Sequence, residues 1–92
     1  MDLLTEDEIT AQLASLPGWA RTGDSIVATF SRADFRDSLL FVGAVAYLAE
    51  AANHHPDVAI AWNKVTLTLW THTAGGLTAA DFALAGQISS LP

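Results

Sequence analysis

The stretch DVAIAWNKVTLTLWTH, residues 57–72, alternates large apolar side chains with small or polar ones, as two adjacent β-strands do. Asn63 and Lys64 separate the two alternating runs and predict a hairpin with a two-residue loop at those positions. In the predicted register Trp62 pairs with Val65, and the further pairs follow outward from the loop. This pairing places six large apolar residues on one face: Val58, Ile60, Trp62, Val65, Leu67 and Leu69.

The chain before this hairpin predicts a short helix and an earlier hairpin. Thr5 and Glu8 have the spacing of a capping box, and helical periodicity follows them until the Pro-Gly pair at residues 17–18. Residues 19–30 then predict two strands, because apolar alternation resumes on either side of a turn-forming Thr-Gly-Asp cluster. The sheet therefore has about four antiparallel strands.

A long central helix and a last helix complete the predicted fold. Ser31, with Asp34 at the third position, predicts the start of the central helix, which extends to about Asn53. Thr78 and Asp81 open the last helix. The order α-β-β-α-β-β-α predicts an α+β fold, a single domain over residues 1–92 with helices packed on one face of the sheet.

The central helix is apolar on more than one side. Its predicted sheet-facing residues are Phe35, Leu39, Val42, Ala46 and Ala49. Further apolar residues lie on its other sides: Leu40, Phe41, Val45 and Leu48. The helix is either a fully enclosed core helix or one that also packs against a second subunit. Because one sheet face cannot cover both groups, the pattern favours a homodimer or homotetramer.

Composition excludes several classes of function. The formal net charge is -6 with only four Lys and Arg residues, so the chain has no basic patch for nucleic acid or an anionic membrane surface. It has no cysteine, which excludes a disulfide framework, a thiol nucleophile and a thiolate metal site. The first ten residues do not resemble a leader, and the longest uncharged apolar run, residues 39–49, is too short to span a bilayer. We therefore expect a soluble, cytoplasmic protein.

All three histidines are expected near one edge of the sheet. The hairpin register, continued outward, places His55 opposite His72, while His54 leaves the helix end beside it. Glu50 lies one helical turn before His54 and can face it. The cluster has three interpretations: separate structural hydrogen bonds, a zinc site with an open position, or general acid–base catalysis by imidazoles in opposite protonation states. Elimination of water requires two paired proton transfers, which the third interpretation, general acid–base catalysis, provides.

One spaced pattern joins this cluster to later residues: Glu50, His54, His55, Pro56, Trp62, His72 and Asp81. It closely resembles the signature of the pterin-4a-carbinolamine dehydratase family, known in animals also as a dimerisation cofactor of a homeodomain transcription factor. The resemblance covers at least residues 31–88. It implies a hydro-lyase that dehydrates 4a-hydroxytetrahydropterin to quinonoid dihydropterin, in pterin recycling after an aromatic amino acid hydroxylase, without a metal or other cofactor.

The resemblance also implies roles for single residues. The catalytic imidazoles would be His54, His55 and His72. The remaining pterin-site residues would be Glu50, which orients its histidine neighbour, and Pro56, Thr71, Thr73 and Ala74. Trp19 is a further candidate as a flat wall for the pterin ring, with a core position as its alternative. Asp81 is interpreted as a helix cap and not as a catalytic group.

A different class of function competes with the enzyme. The resembled family includes transcriptional coactivators and members proposed to assist assembly of a carbon-fixing enzyme, so the fold can serve as a binding or assembly module. The presence of all three histidines favours the enzyme, because a scaffold has no chemical need for them.

Overall fold

The computed structural model describes residues 2–92 and has the predicted order of helices and strands. The elements are α1 (Glu6–Ala14), β1 (Ala20–Thr22), β2 (Ser25–Ser31), α2 (Phe35–Ala52), β3 (Asp57–Ala61), β4 (Lys64–Leu69) and α3 (Ala79–Ser89). Capping boxes begin α1 at Thr5 and α3 at Thr78, as predicted. Within residues 2–92, no helix combines the length and the apolar character that crossing a membrane requires.

The strands form one antiparallel sheet in the order β1-β2-β4-β3, so the two hairpins meet where β2 pairs with β4. Alternate residues of these two central strands are buried: Ile26, Ala28, Val65, Leu67 and Leu69. α3 completes the core with Phe82, Leu84, Ala85 and Ile88. Each large aliphatic side chain buried in this way contributes about 1.5–3 kcal/mol to folding. The predicted α+β fold is confirmed.

The predicted register of the second hairpin is wrong by two positions. Ile60 pairs with Val65 and Ala61 with Lys64, which leaves Trp62 and Asn63 as the loop. A shift of two preserves the side of every residue, so the other five apolar residues keep their common face. Trp62 leaves it and is 68% exposed.

Contacts with Ser38 of α2 and with Arg32, which precedes that helix, explain the observed loop. The Ser38 hydroxyl donates to the carbonyl of Trp62 at 2.9 Å, and the Arg32 amide donates to the carbonyl of Asn63 at 2.7 Å. Within this turn Trp62 adopts a φ of 56°, which is uncommon for a bulky residue. The alternation of apolar and polar residues in the sequence cannot predict these long-range hydrogen bonds.

The start and the buried face of α2 also differ from the prediction. Asp34, not Ser31, is the N-cap and accepts from the Asp37 amide. The buried residues are Ser38, Phe41, Val45 and Ala49, of which the prediction placed only Ala49 toward the sheet. The hydrogen bond from Ser38 to the hairpin loop and the ring contact between Phe41 and Phe30, 4.9 Å apart, set this rotation. Four large side chains of α2 are consequently exposed: Phe35, Leu39, Leu40 and Tyr47.

Asp37 makes the start of α2 sensitive to acid. The Ala33 amide and the Arg32 guanidinium both donate to its carboxylate, and they lower the pKa of Asp37 from its ordinary value of 3.8. A lowered pKa stabilises the folded state above about pH 3.8, and this stability is lost as pH falls toward the folded-state pKa. We expect Asp37→Asn to lower Tm at neutral pH. The Tm difference from wild type should shrink below pH 3.8, and a difference that is constant with pH would contradict this account.

Candidate active site

The three histidines line one open cleft of about 250 Å³ between the end of α2 and the segment that follows β4. Its lining consists of Asn53, His54, His55, Trp70, Thr71, His72 and Thr73. In the observed register His55 no longer lies opposite His72. The three imidazoles nevertheless line the same cleft. The lining is rich in hydrogen-bonding and aromatic side chains.

His54 is fixed by a buried carboxylate. Asn53 ends α2 in the left-handed conformation, with φ 49° and ψ 45°, and turns the chain so that the His54 ring enters the protein. Nε2 of His54 lies 2.6 Å from Oδ1 of Asp81, a residue with no exposed surface. Because an ionised carboxylate only accepts, Nε2 carries the hydrogen in this contact.

Asp81 has other partners that hold it in place. Its Oδ2 accepts from the Thr71 hydroxyl at 2.8 Å and from the Thr78 amide at 2.9 Å. The Thr71 and Thr78 hydroxyls are themselves 2.8 Å apart. Asp81 therefore caps α3 as predicted and also orients His54, a role that sequence reasoning assigned to Glu50.

His55 lies at the solvent-exposed rim of the cleft and pairs with Glu50 outside the cleft lining. Its Nε2 lies 2.5 Å from Oε2 of Glu50, and both side chains are more than half exposed. The expectation that Glu50 faces His54 is wrong, because the left-handed turn at Asn53 directs His54 inward and leaves His55 on the Glu50 side. Glu50 stays within the cluster, but on a different histidine.

His72 has a ring neighbour in place of a carboxylate. The centroids of the Trp70 and His72 rings are 4.0 Å apart, with the ring planes inclined by 33°. Among residues 2–92, the His72 imidazole has no hydrogen-bond partner, whereas the backbone around it is anchored by the Thr71 amide, which donates to the Gly76 carbonyl at 2.9 Å.

The donor groups do not form a metal centre. In the part of the chain that the structure describes, no three His, Asp or Glu side chains are grouped as metal ligands are. The adjacent imidazoles diverge, since Nε2 of His54 and Nε2 of His55 contact different carboxylates. The arrangement instead provides three imidazoles with three distinct environments around one opening.

A family model described as pterin 4 alpha carbinolamine dehydratase matches residues 2–91. The chain belongs to this family. A protein of Roseiflexus castenholzii, provisionally named a pterin-4-alpha-carbinolamine dehydratase, is 53% identical over 89 residues, covering 97% of this chain and 96% of the relative. A Chloroflexus aurantiacus protein with the same provisional name is 52% identical over 91 residues, covering 99% and 98%.

Two solved structures share the pterin-4a-carbinolamine dehydratase fold. A crystal structure from Brucella melitensis, described as a transcriptional coactivator/pterin dehydratase, superposes with a TM-score of 0.91 at 33% identity over 96% of both chains. A pterin dehydratase-like protein, identified as a RuBisCO assembly factor in the alpha-carboxysome, has a TM-score of 0.68 at 24% identity, covering 79% of this chain and 87% of its own. At that identity the second match extends only to the fold.

The residues predicted from the family signature fall into three groups in the structure. The cleft contains His54, His55, His72, Thr71 and Thr73. Pro56 and Glu50 instead line a neighbouring apolar cavity of about 300 Å³, which shares His55 with the cleft, and Ala74 lines neither. Trp19 is a correction: its indole is buried, packs against Phe30 and donates to the Ser89 hydroxyl at 2.8 Å.

Two residues of the candidate site were missed by sequence reasoning. Asp81 belongs to the family signature, and that membership was the available signal, although helix capping was a sufficient structural reason for the residue. Trp70 directly follows β4, and its ring contacts the ring of His72 two positions later, a contact for which the sequence pattern gave no signal. Trp19 contacts Ser89 at the C-terminal end of α3, whereas Asp81 lies at the N-terminal end of that helix. The two ends are roughly 12 Å apart, so Trp19 lies away from the His54–Asp81 pair.

Proposed function

We propose that this chain is a hydro-lyase that dehydrates 4a-hydroxytetrahydropterin to quinonoid dihydropterin by general acid–base catalysis. The observation that carries the proposal is the convergence of three imidazoles, one of them paired with a buried carboxylate, on one cleft. Family membership supports the pterin as substrate class. The location would be the cytoplasm, in the recycling of a used pterin cofactor.

The reaction needs two proton transfers and no redox step. The C4a–O bond of the substrate breaks, a C4a=N5 double bond forms, one proton leaves N5, and one joins the departing hydroxyl as water. Imidazole is suited to both transfers because it gains and loses a proton near neutral pH. Two imidazoles that face the substrate from different sides can therefore perform the elimination without a metal.

The hydrogen bonds suggest a division of roles. With Nε2 of His54 donating to Asp81, Nδ1 is the nitrogen left to accept the N5 proton, and the buried carboxylate compensates the charge that the ring gains. His72 has both nitrogens free of described protein partners and would protonate the leaving hydroxyl. His55, oriented by Glu50 at the exposed rim, would bind the pterin and could relay protons to solvent.

Stopped-flow absorbance of chemically generated 4a-hydroxytetrahydropterin tests the proposal. With protein in excess, dehydration should be faster than in buffer that contains free imidazole at three times the protein concentration. That control removes the effect of imidazole as a dissolved base. Equal rates in the two solutions would overturn the proposal.

We also propose that a second copy of the chain covers the exposed apolar side of α2, formed by Phe35, Leu39, Leu40 and Tyr47. Tyr47 is 76% exposed and Leu40 62%, a concentration of apolar surface that is typical of subunit interfaces. Light scattering after size-exclusion chromatography should give two or four times the mass of one chain. A monomeric wild type would contradict this proposal.

A further inference from the structure

The three imidazoles of the cleft are restrained in three different ways. Carboxylates hold Nε2 of His54 and Nε2 of His55, whereas the His72 ring is bordered by the Trp70 indole and has no hydrogen bond to any residue within 2–92. We propose that Trp70 is a positioning residue, which holds the His72 imidazole by ring stacking and leaves both of its nitrogens available to substrate. This inference rests on the proposed function and adds a residue to it.

The backbone explains why the two rings meet. Trp70 directly follows β4 and His72 begins the turn at residues 72–75, while Thr71 between them is buried. The Thr71 amide donates a hydrogen bond to the Gly76 carbonyl, and the Thr71 hydroxyl donates one to the Asp81 carboxylate. The backbone between the two rings is therefore anchored at its centre, where the rings lie 4.0 Å apart.

Stacking has a chemical advantage over a hydrogen bond at this position. A carboxylate would occupy one imidazole nitrogen and leave a single nitrogen for the reaction. An indole face restricts rotation of the ring through contact area and leaves Nδ1 and Nε2 unoccupied. His72 can then donate a proton through one nitrogen and regain a proton from water at either nitrogen.

Replacement of Trp70 tests the positioning role. Trp70→Leu keeps apolar bulk but removes the aromatic face, and it should lower kcat by about 10- to 100-fold, since a small misplacement of a reacting group has effects of that size. Trp70→Phe should retain most of the wild-type kcat. Trp62→Leu, a change of the same type at an exposed tryptophan outside the cleft, serves as the control and should leave kcat unchanged.

Proton NMR of the His72 ring gives a readout that does not require activity. In wild type and in Trp62→Leu, the His72 ring protons should be shifted upfield by the ring current of the indole, and in Trp70→Leu this shift should disappear. If Trp70→Leu leaves the His72 spectrum unchanged, the proposal is overturned. It is also overturned if Trp70→Leu raises KM and leaves kcat unchanged, because that result indicates a role in pterin binding alone. If wild type fails to accelerate dehydration, the proposed reaction is wrong, and the NMR comparison still decides whether Trp70 positions His72.

Discussion

Replacing His54 by alanine should lower the rate constant for dehydration by about 10²- to 10⁴-fold, the usual contribution of one general acid or base. His54 is the imidazole with the most defined orientation, since its Nε2 lies 2.6 Å from a carboxylate that is itself fully buried. The substitution removes the proposed proton acceptor and leaves the cleft open. Stopped-flow decay of the pterin carbinolamine, with variant and wild type at equal concentrations, gives the ratio directly.

Two companion variants make the His54 result specific. His72→Ala should cause a loss of similar size, because the elimination needs both proton transfers. Gln12→Ala, an exposed change on α1 outside the cleft lining, should keep the wild-type rate. A His54→Ala protein that is folded and dehydrates the pterin as fast as Gln12→Ala would remove His54 from the mechanism.

Asp81→Asn should damage both the site and the fold. The Asp81 carboxylate accepts from the Thr71 hydroxyl, the Thr78 amide and the His54 ring without any exposed surface. The asparagine amide keeps one acceptor oxygen, but its NH₂ group replaces the other oxygen. That NH₂ group then faces a partner that also donates a hydrogen bond. The loss in the free energy of unfolding should be about 2–3 kcal/mol, which lowers Tm by roughly 10 °C or more in a domain of this size.

The rate loss of Asp81→Asn should exceed what unfolding explains. At a temperature where the variant is fully folded, kcat should still fall by about 10-fold or more, because His54 loses the partner that fixes its tautomer. Asp34→Asn is the matched control: it makes the same chemical change at the N-cap of α2, where asparagine caps as well as aspartate. An Asp81→Asn variant that is destabilised but catalyses at the wild-type rate would limit Asp81 to the capping role that its sequence position suggested.

The fold was largely predictable because local signals agree with the tertiary structure. The capping boxes at Thr5 and Thr78 and the apolar alternation in β2 and β4 specify the elements and their buried sides. The register of the second hairpin was not predictable, because a shift by two residues preserves every side-chain direction. Bonds from Ser38 and Arg32 to the loop select the observed pairing, and they connect residues that are distant in sequence.

The three histidines of the candidate site were predictable, whereas their partners were not. Spacing identified the three histidines, because the chain that leaves α2 enters β3 beside the end of β4. It did not identify their partners, since the left-handed conformation of Asn53 decides which histidine turns inward to Asp81 and which meets Glu50. The same limit applies to α2, whose apolar residues surround the helix and do not indicate which side is buried.

The measurement that tests the central claim most directly is the number of substrate molecules that one chain dehydrates. Wild-type protein is mixed in stopped flow with a large molar excess of 4a-hydroxytetrahydropterin, and the decay of its absorbance is followed to completion. The proposed mechanism predicts accelerated loss of the whole substrate pool, with a rate proportional to protein concentration. Decay at the uncatalysed rate, or acceleration limited to one equivalent of substrate per chain, would contradict catalysis and would favour a binding or assembly role for this fold.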